Sequence, residues 1–403
     1  MMTVTATKAT KSLPIGAAGC AGVAIGFGFA RYGFGLFASV FRAEFGMTTS
    51  AIGAVGSAGS AIYLISLLSC GALTARWGPR LPVLIANMSA VTGLALIACA
   101  TTAPMLTAGV LIAAASSGLV WGPFADAVGA CVAPERQDRT LAIISSGTTF
   151  GLVVAGALAF VVADRPGQLW RVIWCVFAAL AVVVMVLAYV AMPDAGTTSN
   201  VRPQRGRFRP TSASIPICLL SALYGGAGAV FFTFAVDLVH SEGLSPSWSA
   251  LLWLMVGLGG VSGVITGSLV NRFGMRRSLT AATALMAASI VVLAAWPSIA
   301  GLTALAALGF GCAYMPFAAM LAIWNQRLHP LHPTSGLVLT LCSLGAGSVI
   351  GPASLAELAD AIGLRAAYLL AALLLVACGL PLCRQAEVRP SPSVTSSMEP
   401  GRR

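Results

Sequence analysis

Long apolar runs alternate with short polar turns from one end of the chain to the other. The runs fall near residues 14–40, 49–73, 82–101, 104–128, 140–163, 169–192, 214–240, 248–270, 278–296, 299–324, 335–360 and 364–383. Each is close to the ~20 apolar residues that a helix needs to cross the hydrocarbon core of a bilayer. Backbone inside lipid must satisfy its own hydrogen bonds, so each run is predicted to be helical. The pattern predicts an all-α integral membrane protein with twelve transmembrane helices.

Composition removes the alternative of a large soluble core. Only 9% of the 403 residues are charged and the mean hydropathy is +0.91. A soluble domain carries about 25% charged residues to cover its surface. The net charge of +11 does not point to nucleic acid, because the basic residues sit in the turns between runs. With the N-terminus inside, one side holds 18 of the 23 Lys and Arg, and the other holds four: Arg42, Arg165, Arg171 and Arg365. Basic excess marks cytoplasmic loops. Both termini are therefore expected in the cytoplasm, in a bacterial inner membrane. The first run is too long for a signal-peptide core and is expected to be retained. The ten cysteines lack any Cys-x-x-Cys pair and read as small buried hydrophobes.

The chain also repeats itself. Gly71–Arg80, between the second and third runs, returns as Gly267–Arg277, 196 positions on. Gly118-x-x-Trp121-x-Pro123-Phe124-Ala125 returns as Gly311-x-x-Tyr314-x-Pro316-Phe317-Ala318, 193 positions on. Gly151 and Ala155 correspond to Gly347 and Gly351. The near-constant offset predicts two six-helix halves of like orientation, related by an axis along the membrane normal, an architecture of alternating-access carriers. The expected organisation is a bundle over 1–192, a basic cytoplasmic linker over 193–213, a second bundle over 214–383 and a disordered cytoplasmic tail over 384–403.

On these residues the chain resembles the major facilitator superfamily. The family loop motif reads Gly-x-Leu-Ala-Asp-Arg-x-Gly-Arg-Lys/Arg, and the chain supplies Gly71, Leu73, Arg76, Gly78 and Arg80. The second copy supplies Gly267, Leu269, Arg272, Gly274 and Arg276. Phe29–Gly35 is similar to first helices of a poorly characterised bacterial branch. The resemblance implies a secondary transporter, with the motif loops acting at the gate. Ala75 and Asn271 stand where the motif has Asp, which implies a weaker latch. The fourth run lacks the arginine of many proton-coupled members. Gly151 is followed by Leu152, not by the proline of drug/proton antiporters.

Few residues carry candidate chemistry. Arg31 is the one Lys or Arg deep within a run, Arg171 and Arg365 standing at the very start of theirs, and a charge costs about 2.5–3.5 kcal/mol at mid-bilayer. It is expected to face a cavity and pair with substrate, the alternative being a snorkel to the interface. Tyr32, Trp121 and Tyr314 are candidate cavity aromatics. Asp126, beside Pro123, and Asp237 are candidate proton-coupling carboxylates. For Asp126 the alternative is an interfacial pair with Arg136 or Arg139. His240, His329 and His332 show no ligand spacing, so no metal, cofactor or catalytic site is expected. The expected partners are a small-molecule substrate with an anionic group, membrane lipid and protons, with no nucleic acid. A monomer is expected. The functional expectation is gradient-driven transport of a small organic solute by alternating access. The alternatives are drug or metabolite efflux, and a transporter-like sensor that binds without translocating.

Overall fold

The computed structural model describes residues 12–162, 169–192, 212–329 and 333–386. Within them, helices long and apolar enough to cross a membrane run Ser12–Arg31, Thr49–Trp77, Arg80–Ala98, Ala103–Cys131, Pro134–Val161 and Leu169–Ala191. They continue as Ser212–Ser241, Pro246–Phe273, Met275–Ala295, Ala300–Leu328, Gly336–Ile362 and Leu364–Arg384. These twelve form two pseudo-symmetric six-helix bundles. The linker expected over 193–213 falls outside the described residues except at its end. The tail from 387 and the first eleven residues also lie outside them.

Two boundaries differ from the apolar pattern, each for a local reason. The fifth span begins at Pro134, not near 140, because Pro134 and Glu135 open a helical turn that is polar yet well suited to a helix N-terminus. The first span does not run unbroken to 40. It closes with a π-helical segment, Ala24–Arg31, then continues as Gly33–Leu36 and Ala38–Phe45. The Tyr32 N–H reaches the Phe27 carbonyl, five residues back, at 3.0 Å.

Glycines show the repeat in the backbone. Gly46 and Gly243 end the first and seventh spans with φ of +64° and +91°. Gly78 and Gly274, one in each motif loop, have φ of +76° and +83°. Positive φ strains any residue with a Cβ, so these turns select glycine. Close packing repeats as well. Gly28 lies on Gly151, joining the first and fifth spans, and Gly226 lies on Gly351, joining the seventh and eleventh.

A third repeated device clips each half together at the end away from the motif loops. Arg171 donates to the Ala98 and Ala100 carbonyls at 3.1 and 2.6 Å and pairs with Glu44 at 2.7 Å. Arg365 donates to the Ala294 and Ala295 carbonyls at 3.1 and 2.8 Å, with Glu242 at 3.8 Å. Each arginine thus satisfies carbonyls left open at a helix C-terminus and complements its negative dipole end.

Candidate functional site

Where the halves meet, side chains shrink. Gly35 lies directly against the Phe232 carbonyl, Gly53 against Ala356 and the Pro352 carbonyl, and Gly56 against Thr233. Hydrogen bonds cross between the halves. Arg42 Nη2 donates to Asp237 Oδ2 at 2.6 Å, in an ion pair whose carboxylate side chain is 8% exposed. Ser50 donates to Asp360. The Ala353 N–H donates to Ser57 Oγ at 2.9 Å. The last bond follows from Pro352, inside the eleventh helix. Proline disturbs the helical ladder around it, and here the N–H of the next residue is taken by the other half. All three bonds lie from mid-helix toward the ends opposite the motif loops.

Deeper along this seam is a cavity of about 40 Å³. Residues of the first, second and fourth spans line one wall, among them Arg31, Tyr32 and Ser60. Residues of the seventh, tenth and eleventh line the other, among them Phe232, Tyr314 and Ser348. Arg31 closes the π-helical segment. π-Helical turns are rare and concentrate at functional sites. The guanidinium lies 3.7 Å from the ring centroid of Tyr63 and 5.8 Å from that of Tyr32. Its Nη1 is buried and makes no hydrogen bond. Tyr63 is the middle residue of Thr49–Trp77, with fourteen residues on either side. Arg31 therefore turns toward mid-span and not toward the interface, which is the cavity-facing arrangement.

The aromatic candidates separate. Tyr32 stacks on Phe232 across the seam, centroids 3.9 Å apart. Tyr314 stands edge-on to Phe232 at 5.5 Å and lines the cavity. Trp121, its counterpart in the repeat, does not line it and points its indole N–H toward Ser145 Oγ at 3.4 Å. Of the matched pair, Tyr314 is the one among the residues lining this cavity. The halves also differ at the residue on which Tyr314 packs. Tyr314 packs over Gly228, where even a methyl group would collide with its ring. At the 197-residue offset, Gly228 corresponds to Arg31. The first half holds a long cation where the second leaves room for a ring.

The two carboxylate candidates also part. Asp237 is spent on Arg42 at the seam and does not line the cavity. Asp126 is exposed near the end of Ala103–Cys131 and makes no ion pair among the described residues, so the pairing with Arg136 or Arg139 is not seen. His240 is exposed, His329 meets Ser214 at 3.1 Å, and His332 lies outside the described residues.

The motif loops lie at the other end of the molecule. Gly71 and Gly267 face open space. Ala75 and Arg76 are exposed, and Arg76 rests over its neighbour Trp77 at 4.8 Å. Arg80 ties the third span to the sixth, donating to the Tyr189 carbonyl at 2.8 Å with its guanidinium over the Tyr189 ring. Arg272 rests over Phe273 at 5.4 Å. Gly78 and Gly274 form the sharp turns, and Leu73 packs against the buried first-half cluster around Cys70 and Phe124.

Sequence reasoning missed Tyr63, Arg42 and Ser57. One signal was present: Gly53, Gly56, Ser60 and Tyr63 recur at three- and four-residue spacing and mark one small, polar helix face.

The model of the Major Facilitator Superfamily matches residues 20–346. A chloramphenicol resistance protein of Streptomyces lividans is 26% identical over 321 residues, covering 77% of this chain and 80% of that protein. The nucleoside transporter NupG superposes with a TM-score of 0.74 at 13% identity, covering 94% of this chain and all of its own. The xylose transporter XylE from E. coli, in a partially occluded inward-open conformation, gives 0.74 at 14% identity, covering 93% of this chain and 98% of its own.

Proposed function

Since the chain belongs to the major facilitator superfamily and is a membrane transporter of a small solute, not an enzyme, we propose that its solute is an organic anion bound at Arg31. The supporting observation is one guanidinium inside a cavity between the halves, with a buried nitrogen lacking a partner. A buried nitrogen without a hydrogen bond is costly. An anionic group on the solute would supply the missing bond, and Arg keeps its charge in almost any surroundings.

Transport would proceed by alternating access. The bundles rock about the cavity, opening it first on one side and then on the other. The charge bias of the loops supports placing the motif loops and both termini in the cytoplasm of a bacterial inner membrane. In that orientation the Arg42–Asp237 seam is the outer gate. Coupling to protons is part of the reading, with exposed Asp126 as the first carboxylate to test. Asp126→Asn should abolish gradient-driven accumulation and spare solute exchange. Accumulation at the wild-type level would remove Asp126 from the mechanism.

The test of the main reading is counterflow in proteoliposomes with a panel of labelled organic anions and matched neutral amides. Arg31→Ala should insert and fold yet lose exchange. Exchange of neutral solutes that ignores Arg31→Ala would refute the anion reading. Binding without any exchange would indicate a sensor. A second reading, efflux of a neutral drug, draws on the name of the Streptomyces relative. It predicts that cells expressing the chain tolerate more chloramphenicol.

A further inference from the structure

Arg31 is the only charged side chain among the residues lining the cavity. One face of its guanidinium is covered by Tyr63, whose ring centroid lies at 3.7 Å, within the range of a cation–π contact. With that face closed, the in-plane edge carries the directed donors, and Nη1 on it has no partner. A planar carboxylate matches such an edge, two oxygens against two parallel N–H groups. A dianion carries a second charge that this lone cation leaves unbalanced in the cavity. Ser348, on the facing wall, directs its hydroxyl to the Leu344 and Gly225 carbonyls at 2.9 and 3.1 Å. The remaining wall sets apolar Phe34, Val55, Val110 and Phe232 beside the hydroxyl-bearing Tyr32, Ser60, Thr233 and Tyr314. Volume sets a further limit. A single water needs roughly 10–15 Å³, so a cavity of about 40 Å³ favours a short solute.

We propose that the cavity selects a small planar monoanion, a carboxylate with a short apolar tail, held edge-on by Arg31. Tyr63 is the positioning residue that enforces this approach by occupying the guanidinium face. This inference rests on the organic-anion reading above and narrows it to a substrate class.

The experiment is calorimetric titration of the purified full-length protein with propionate, propionamide, benzoate and inorganic phosphate. Propionate should bind, with propionamide and phosphate at least about tenfold weaker and benzoate no tighter. Tyr63→Phe keeps the ring and should stay within about twofold of wild type. Tyr63→Leu should lose about tenfold for propionate and shrink the propionate-to-phosphate ratio, which a merely structural role would leave unchanged. Phosphate binding as tight as propionate, benzoate binding tenfold tighter, an unchanged ratio in Tyr63→Leu, or no binding of propionate each overturns the proposal. The transport reading fails separately. Arg31-dependent counterflow of a larger anion without propionate binding keeps the carrier and rejects the short-chain site. Propionate binding without counterflow does the reverse.

Discussion

The two ends of the molecule are built from the same repeat but joined differently. At the end away from the motif loops, the halves touch through glycines and are bonded by Arg42–Asp237, Ser50–Asp360 and Ser57–Ala353. At the motif end, Gly71, Gly267, Ala75 and Arg76 face open space. The difference teaches where the repeat was allowed to diverge. The clips, turns and motif glycines come in matched pairs, while the bonds that close the seam are unpaired. Asp237, Asp360 and the Ala353 N–H all belong to the second half, and each is answered by a different group in the first. Closure needs complementarity between halves, which symmetry alone does not supply.

The largest expected effect comes from adding bulk at the closed seam. A side chain at Gly35 would overlap the Phe232 carbonyl, and backbone cannot step aside as a side chain can. Gly35→Val should disfavour the closed seam by about 3 kcal/mol, over a hundredfold in population. Distances between spin labels at the ends of the first and seventh spans should lengthen. Unchanged distances would show that the seam yields elsewhere.

Next comes the ion pair. Charge-assisted hydrogen bonds contribute about 1.5–3 kcal/mol, so Asp237→Asn should shift the same distances in the same direction by roughly ten- to a hundredfold in population. Arg42→Ala should do likewise, and the double variant should add little, because both remove one interaction. Additive effects would mean that the two residues act through other partners.

Ser57→Ala should follow, with a cost of about 1 kcal/mol, because the Ala353 N–H loses its acceptor at the helix break. Faster hydrogen exchange at Ala353 is the readout, and protection equal to wild type would contradict it. The smallest effect is expected at the open end, and with the opposite sign. Ala75→Asp would give nearby arginines a carboxylate, worth about 0–1 kcal/mol for an exposed pair. Thiol labelling of a cysteine introduced beside the motif loops should fall slightly. Increased labelling would reject a latch at this position.

Much of this was legible in the sequence because lipid imposes simple rules. Apolar length gave the spans, and the repeat offset gave the correspondence of fourth with tenth and fifth with eleventh. Arg31 was conspicuous because a lone cation in an apolar run has few places to go. Tyr63 was not, because a tyrosine in a span carries no comparable penalty and its role depends on which helix face meets Arg31. The π-helical segment escaped for a related reason. Its sequence, Ala-Ile-Gly-Phe-Gly-Phe-Ala-Arg, follows no pattern that distinguishes five-residue from four-residue bonding. Trp121 matches Tyr314 in the sequence repeat, but a matching position does not fix which surface a side chain faces, and the Trp121 indole turns to Ser145. Arg42 and Asp237 lie 195 residues apart, and periodicity along one chain does not report contacts between two bundles.

The two arginine clips have a use beyond holding helices together. Each joins parts of a single half, Glu44 with Arg171 and Glu242 with Arg365. Neither has to break when the halves swing, so each serves as a benchmark in the surveyor's sense, fixed to its own ground. Fluorophores anchored beside the two clips would record the swing as one changing separation. A pair placed within one clip would supply the constant length against which that separation is calibrated.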